Sequence, residues 1–576
     1  MLKKYLPNQL AFHYNRKLFK YDLIAGLTLY VMLIPQSMAY AMLAGLPPVM
    51  GLYASTIPLI IYALFASSKH LSVGPVAITS LLVFSGVSVY AEPGTSEYIS
   101  IVLILALMVG IIQLLLGTFK GGFIVKFIPH SVLNGYTSAA AIVIGFSQLK
   151  HLLGVEVGNY LQVQFLLFDV INKFSEIHIV TLIVGLFSII GLLLIKKMNP
   201  KLPSALIIVM ISLATVMLLG LDERGLQIIG NVPQGLPLMI FPEVTFQKIQ
   251  MLFPMALTIS LIAFMESLAI SKAIARIENY KISPNKELRA LGISNIIGSC
   301  FQSFPINGSF SRTAVNHQAG GRTQVTSIIT GVCVIITLLF FTSLFYYLPN
   351  AVLAAIIIVA VYNLIDIKEM KHLFKVKPLE GWIWVITFFV TLFVGIQWGI
   401  MIGAIFTLIL LLNRSFKPNI AQLGYVRKER VFRDIKWYPE AITSEIVLII
   451  RIDSSLHFAN ISYLDEKLKK LYQQNSHSKW LILDMSGVND IDTVSIEKLE
   501  ESISYFKERN VTVLFTNMKG AIRHTVNKVG WHIRYKEQKN HLTVKQILKE
   551  KGIHKYFEHN KTSKSKNKEW IHDYSI

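Results

Sequence analysis

The residues best equipped for chemistry in this 576-residue chain lie in two short breaks of otherwise apolar sequence. One is HLSVGPVAITS (His70–Ser80) and the other is FPINGSFSRTAVN (Phe304–Asn316), about 235 positions further on. Each reads as an extended stretch rich in Gly, Pro and Ser that leads into a helix. Two half-helices whose N-termini meet would offer unpaired N–H groups and the positive ends of two dipoles to one point, which is an anion site. Arg312 adds a full positive charge there, and the hydroxyls of Ser309, Ser311 and Thr313 add donors. An arginine beside such a break in apolar surroundings is costly without a purpose. The plain alternative is a re-entrant kink with packing glycines.

Two further groups belong with this reading. In IPQSMAY (Ile34–Tyr40), Pro35 frees backbone groups, while Gln36 and Tyr40 stand four apart and share a helical face. A kink with a hydrogen-bonded Gln is the ordinary alternative. In MLFPMALTISLIAFMESLAISKAIA, Glu266 is the one acidic residue of the fifteen before position 414 that lies deep in an apolar run. Burial favours its neutral form and a nearby arginine its charged form, so it reads as a proton or cation site. A fixed ion pair with Arg312 is the alternative. No nucleophile–base pair or metal cluster suggests an enzyme, and no cofactor or metal is expected. Cys300 and Cys333 read as small core residues, with no CxxC spacing.

These groups must be held by membrane-spanning elements. Of the residues, 53% are hydrophobic and only 15% charged, and the mean hydropathy is +0.52. Ordinary soluble chains carry roughly 25% charged residues. Apolar runs repeat at about Tyr21–Ala44, Pro48–Phe65, Pro75–Tyr90, Ser100–Thr118, Val132–Phe146, His178–Ile195, Pro203–Leu221, Met251–Ala275, Leu288–Phe301, Ser309–Gln318, Thr323–Leu348, Ala351–Ile365, Trp382–Ile396 and Gly399–Leu412. That makes fourteen segments, of which the third, ninth, tenth and fourteenth are short for a straight span of ~20 residues. Connections after even-numbered segments carry the lysines, among them Lys69, Lys120, Lys126, Lys196, Lys201 and Lys371, which predicts both termini on the cytoplasmic side. The N-terminal residues are basic and show no removable signal peptide. No nucleic-acid motif accompanies the net charge of +21.

The stretch from Asp22 through GLTLYVMLIPQSMAYAMLAGLPPVMGLYAS to HLSVGPVAITS resembles the sulfate permease (SulP) family, whose animal relatives form solute carrier family 26. FMESLAISKAIA, NKELRALGISNIIGS and PINGSFSRTAVNHQAGGRTQ carry the same resemblance across nearly the whole chain. It implies an α-helical polytopic membrane protein with fourteen transmembrane segments in a seven-plus-seven inverted repeat. A core domain (segments 1–4 and 8–11) would move against a gate domain (5–7 and 12–14), typically in a homodimer. Matched by motif position, the resemblance assigns the anion pocket to Gln36, Tyr40, Val76, Ser309, Phe310, Ser311 and Arg312, and an acidic coupling position to Glu266. Sodium-coupled bicarbonate relatives pair an Asp here with a Thr one turn on, whereas this chain has Ile270, which offers no oxygen to a cation. Proton coupling or anion exchange is therefore expected over sodium symport.

After Leu412 strand and helix patterns alternate: Glu445–Asp453, WLILD (Trp480–Asp484) and VTVLF (Val511–Phe515) as strands, with helices between and after them. LILDMSGVNDIDTVSIEKLEE resembles the core of a STAS domain, a cytoplasmic α/β unit. In antagonist relatives a hydroxyl at the position of Thr493 is phosphorylated; a simple helix cap by Asp492 or Thr493 is the alternative. The expected limits are an N-terminal segment over 1–20, a transmembrane domain over 21–413, a linker over 414–435, the STAS domain over 436–555 and a basic tail over 556–576. The expected activity is secondary active transport of a small anion, sulfate first, across the plasma membrane by proton symport. Bicarbonate or dicarboxylate transport, exchange, or an uncoupled anion channel are the other readings.

Overall fold

The computed structural model describes residues 14–123, 129–158, 160, 162–199, 203–362, 364–535 and 539–557. Most of the expected N-terminal segment and tail, with Lys126 and Lys201, lie outside the described residues. The chain divides into two compact units, Met1–Thr407 and Leu408–Ile576.

The first unit is helical. Asn15 starts α1 (Arg16–Leu43) by accepting the Leu18 N–H at 2.9 Å, and Pro35 lies inside that helix. Prolines open α2 (Pro48–Tyr53) and α3 (Ile57–Phe65), where a missing N–H removes no helix bond. A two-residue strand, β1 (Val73–Gly74), precedes the 11-residue α4 (Ala77–Val87). Then come α5 (Ser96–Thr118), α6 (His130–Ser147), the short α7 (Leu149–Leu153) and α8 (Val163–Asn172), α9 (Ile179–Met198) and α10 (Ser204–Leu219). The second half runs through the same order of long helix, helix, strand and half-helix. It comprises α11 (Phe246–Ile277), α12 (Pro284–Cys300), β2 (Asn307–Gly308), the nine-residue α13 (Phe310–Gln318) and α14 (Val325–Phe340). The chain continues through α15 (Asn350–Tyr362), α16 (Ile367–Val376), α17 (Pro378–Phe393) and α18 (Ile396–Phe416).

Each of the fourteen expected segments is largely helical, the second, Pro48–Phe65, being two helices, α2 and α3, in succession. The fourteenth is longer than expected: α18 has 21 residues, beginning before Gly399 at Ile396 and continuing past the apolar run through Asn413, Arg414 and Ser415 to Phe416. Eight helical stretches among the described residues are long and apolar enough to cross a membrane. The apolar windows of α9 and α18 are only 22% and 11% buried, against 61% in α1 and α11, so the former turn their side chains to lipid and the latter form the interior. Close helix contact inside relies on small residues. A Cβ on Gly110 of α5 would stand 2.8 Å from the Gly292 carbonyl of α12, and one on Gly292 would stand 2.8 Å from the Gly110 carbonyl. The molecule is a helical polytopic membrane protein.

The second unit is a five-stranded sheet in the order β4-β3-β5-β6-β7. Its strands are β3 (Ile420–Val426), β4 (Val431–Asp434), β5 (Val447–Ile452), β6 (Trp480–Asp484) and β7 (Thr512–Thr516). The last three are parallel and are joined through α19 (Ile461–Gln474) and α20 (Thr493–Lys507); α21 (Gly520–Lys528), α22 (Trp531–Arg534) and α23 (Val544–Glu550) follow. Leu448 and Ile450 enter one apolar cluster and Val447 and Ile449 another, so both faces of β5 are covered. Part of the stretch expected as a linker is therefore sheet. β3 and β4 occupy 420–434, and β3 pairs with β5 through Ile420↔Ile452. Its pattern IAQLGYV has few branched residues, so its strand character comes from pairing rather than propensity.

Candidate functional site

The two breaks meet. β1 and β2 pair antiparallel, with Val73 opposite Gly308 and Gly74 opposite Asn307, so α4 and α13 leave one seam in opposite directions. Main-chain bonds extend the seam: Ser309 N–H donates to the Ser72 carbonyl at 2.9 Å, and Ser72 N–H to Thr313 Oγ1 at 3.1 Å. Asn295 of α12 grips the approach strand from behind. It accepts the Ile306 N–H at 2.9 Å, donates to the Ile306 carbonyl at 3.3 Å, and donates to Gln113 Oε1 at 3.0 Å. Ser267 Oγ accepts the Gly308 N–H at 2.8 Å. Gly74 has φ of +150°, and a Cβ there would lie 3.2 Å from Arg312 Nη2, so both conformation and space call for glycine.

Arg312 is fully buried in the first turn of α13. Its Nη1 donates to the Pro75 carbonyl at 2.9 Å, while Nε and Nη2 have no protein partner. An unserved buried guanidinium is costly unless something else accepts its hydrogens. Ser309 caps α13, its Oγ accepting the Arg312 N–H at 3.5 Å. Val76 stands at the matching position of α4, but no side chain caps that helix, so its first N–H groups remain open. Gln36 and Tyr40 are buried on α1; Gln36 Oε1 has no partner, and Tyr40 interacts electrostatically with Arg312 and Glu266. Ser311 and Phe310 are exposed, Phe310 by 64%, and so stand on the open side of the same turn.

Glu266 of α11 is half-buried and accepts one hydrogen bond, from Asn307 Nδ2 at 2.7 Å. It interacts electrostatically with Arg312 without forming an ion pair. Two other carboxylates are more deeply buried but fully served. Glu287 accepts from Tyr62 OH and Ser67 Oγ at 2.5 Å and from the Ser67 and Ser68 N–H groups at 2.7 Å. Asp22 accepts from Arg322 N–H at 2.6 Å and Thr323 Oγ1 at 2.5 Å. Those two staple loops to helices, whereas Glu266 retains capacity for a change of state. Sequence reasoning passed over Asn307, Thr79 and Tyr136, whose Oδ1, Oγ1 and OH are buried without partners. The only signal for Asn307 was its place two residues before the Ser309 cap.

In the second unit, Asp492 caps α20, accepting the Ser495 N–H at 2.8 Å and the Phe458 N–H at 2.7 Å. Burial opposes ionisation there, but these hydrogen bonds outweigh it and hold the carboxyl below its ordinary range. Thr493 is exposed at the first position of α20.

Known proteins of the same build place the chain. The sulfate permease family model matches residues 19–387, and the STAS domain model matches residues 438–542. "Sulfate transporter 4.1, chloroplastic" of Arabidopsis thaliana is 37% identical over 529 residues, covering 89% of this chain and 77% of that protein. A solved structure of SLC26A9 superposes with a TM-score of 0.85 at 25% identity, over 97% of this chain and 95% of that one. Murine Slc26a9, an anion transporter solved in the inward-facing state, gives 0.84 at 27% identity, over 92% and 91%. The chain belongs to the sulfate permease family, a family of transporters rather than enzymes, and carries a STAS domain at its C-terminal end.

Proposed function

We propose that this protein is a secondary active transporter of a small anion, with sulfate the first choice, coupled to protons and working by alternating access. The observation that carries the reading is the Arg312 guanidinium, fully buried with Nε and Nη2 unpaired at the seam of two half-helices. An oxyanion accepts the hydrogens that the protein leaves free, and the uncapped start of α4 adds main-chain donors. Gln36, Tyr40, Val76, Ser309, Phe310 and Ser311 complete the pocket in this reading. Glu266 takes the coupling proton, since a neutral carboxyl beside the pocket lowers the cost of holding a negative substrate. Ile270, one turn on and buried, argues against a sodium ion there.

The same reading sets the protein in a plasma membrane as a homodimer with both termini cytoplasmic. The relative from Arabidopsis makes an organellar membrane the competing location. A phosphate on Thr493 would sit at the α20 N-terminus and serve regulation. The test is uptake of labelled sulfate, bicarbonate and fumarate into liposomes holding the purified protein, under imposed proton or sodium gradients. Proton-driven accumulation that Glu266→Gln uncouples is the expected result. Sodium dependence, or coupling intact in Glu266→Gln, overturns the assignment of Glu266. Uptake that never rises above the anion's electrochemical equilibrium, with or without a counter-anion inside, overturns coupled transport in favour of an uncoupled channel.

A further inference from the structure

We infer that Asn307 is a two-position relay that reports the protonation state of Glu266 to the anion, an inference that rests on the roles proposed above for Glu266 and Arg312. Asn307 is fully buried in β2, opposite Gly74 and two residues before the α13 cap. Its Nδ2 donates to Glu266 Oε2 at 2.7 Å, while its Oδ1 has no partner. A carboxylate only accepts hydrogen bonds, whereas a carboxylic acid also donates one. Beside an ionised Glu266, the Asn307 amide must therefore turn its NH2 to the carboxylate and leave its carbonyl oxygen at the other end. The relay takes that free oxygen to be on the anion's side of Asn307, where an acceptor repels a negative ligand.

When water delivers a proton to Glu266, the acid O–H becomes a donor and the favourable partner becomes Oδ1. The terminal amide torsion is broad and roughly two-fold, so half a turn meets this demand without moving the main chain. The NH2 then occupies the end where the oxygen stood and supplies one more donor to the anion. Protonation and anion binding each favour the other through one side chain, as reciprocal coupling requires. The other charged or titratable groups facing Glu266 are Arg312 from α13, Tyr40 from α1 and Tyr136 from α6. Arg312 only donates, and Tyr40 and Tyr136 turn a single O–H, so the amide, with a donor at one end and an acceptor at the other, is the group whose best orientation reverses with the proton.

The test uses the reconstituted full chain as wild type, Glu266→Gln, Asn307→Leu, which removes the amide at similar volume, and Asn307→Ser, which keeps a group that both donates and accepts. Two readouts are taken. Infrared difference spectra between acid and alkaline pH identify the Glu266 acid carbonyl band by its loss in Glu266→Gln, and KM for labelled sulfate is measured at both pH values. The expected result is a band that shifts in Asn307→Leu, together with loss of about tenfold of the acid-side gain in affinity, partly restored in Asn307→Ser. A band and an acid-to-alkaline KM ratio that Asn307→Leu leaves unmoved overturn the relay while leaving proton coupling standing. Absence of any Glu266 band across the pH range overturns the relay and the proton reading together.

Discussion

Arg312 combines two properties that a substitution can separate, a charge and a planar fork. Lysine keeps the charge and loses the fork, so Arg312→Lys should raise KM for the transported anion about tenfold or more, and Arg312→Gln should abolish uptake. Liposome uptake measured over a concentration series distinguishes the two. Gly74 bears on the same group from below. With φ at +150° and its Cβ direction aimed at Arg312 Nη2, Gly74→Ala should cost about 1–2 kcal/mol and displace the guanidinium. The paired signature is a lower melting temperature in detergent with a raised KM. At this scale the arginine was legible because a charge in an apolar break has few innocent explanations. Glu287 was not, because NKELR looks like an ordinary polar loop until Tyr62, Ser67 and Ser68 close around it.

The half-helices were legible as elements because Gly, Pro and Ser punctuate them, but their pairing was not. Strands of two residues carry no alternation, and their register depends on groups far away in sequence, such as Asn295 holding Ile306. Asn295→Leu deletes both bonds to that strand and leaves Gln113 Oε1 without its donor, so it should destabilise the protein by about 1–3 kcal/mol and weaken anion affinity. Thermal unfolding with and without saturating anion measures both effects. In the second unit, α20 depends on its cap. Asp492→Ala should cost about 1 kcal/mol in denaturant unfolding of residues 408–576. The Asp492 carboxyl is held below its ordinary value of 3.8, so its contribution is complete above that pH and fades as pH falls below it. The variant should therefore lose less stability than wild type on acidification. The start of this sheet reads as linker in the sequence because Pro418, two residues past the end of α18, marks only a stop, and β3 becomes a strand only against β5.

At the scale of the molecule, composition alone separates a lipid-embedded unit from a charged one, and the two units bury separate apolar cores. Residues 408–576 expressed alone should therefore unfold cooperatively, which circular dichroism on heating will show; a broad, non-cooperative melt would deny that the cores are independent. The membrane unit has no such autonomy within itself. The seam at which we propose the anion binds joins Val73 to Gly308, and the Arg312 bond to Pro75 spans 237 positions of chain. During synthesis at ~5–20 residues per second, the ribosome adds the second strand on the order of ten to fifty seconds after the first. Throughout that interval the newborn α4 sits in the bilayer with an uncapped end and no β2 beside it. A chain released within that interval therefore carries the helices of its first half in the membrane around half a seam, and gains its second strand only when residues 307–308 are made.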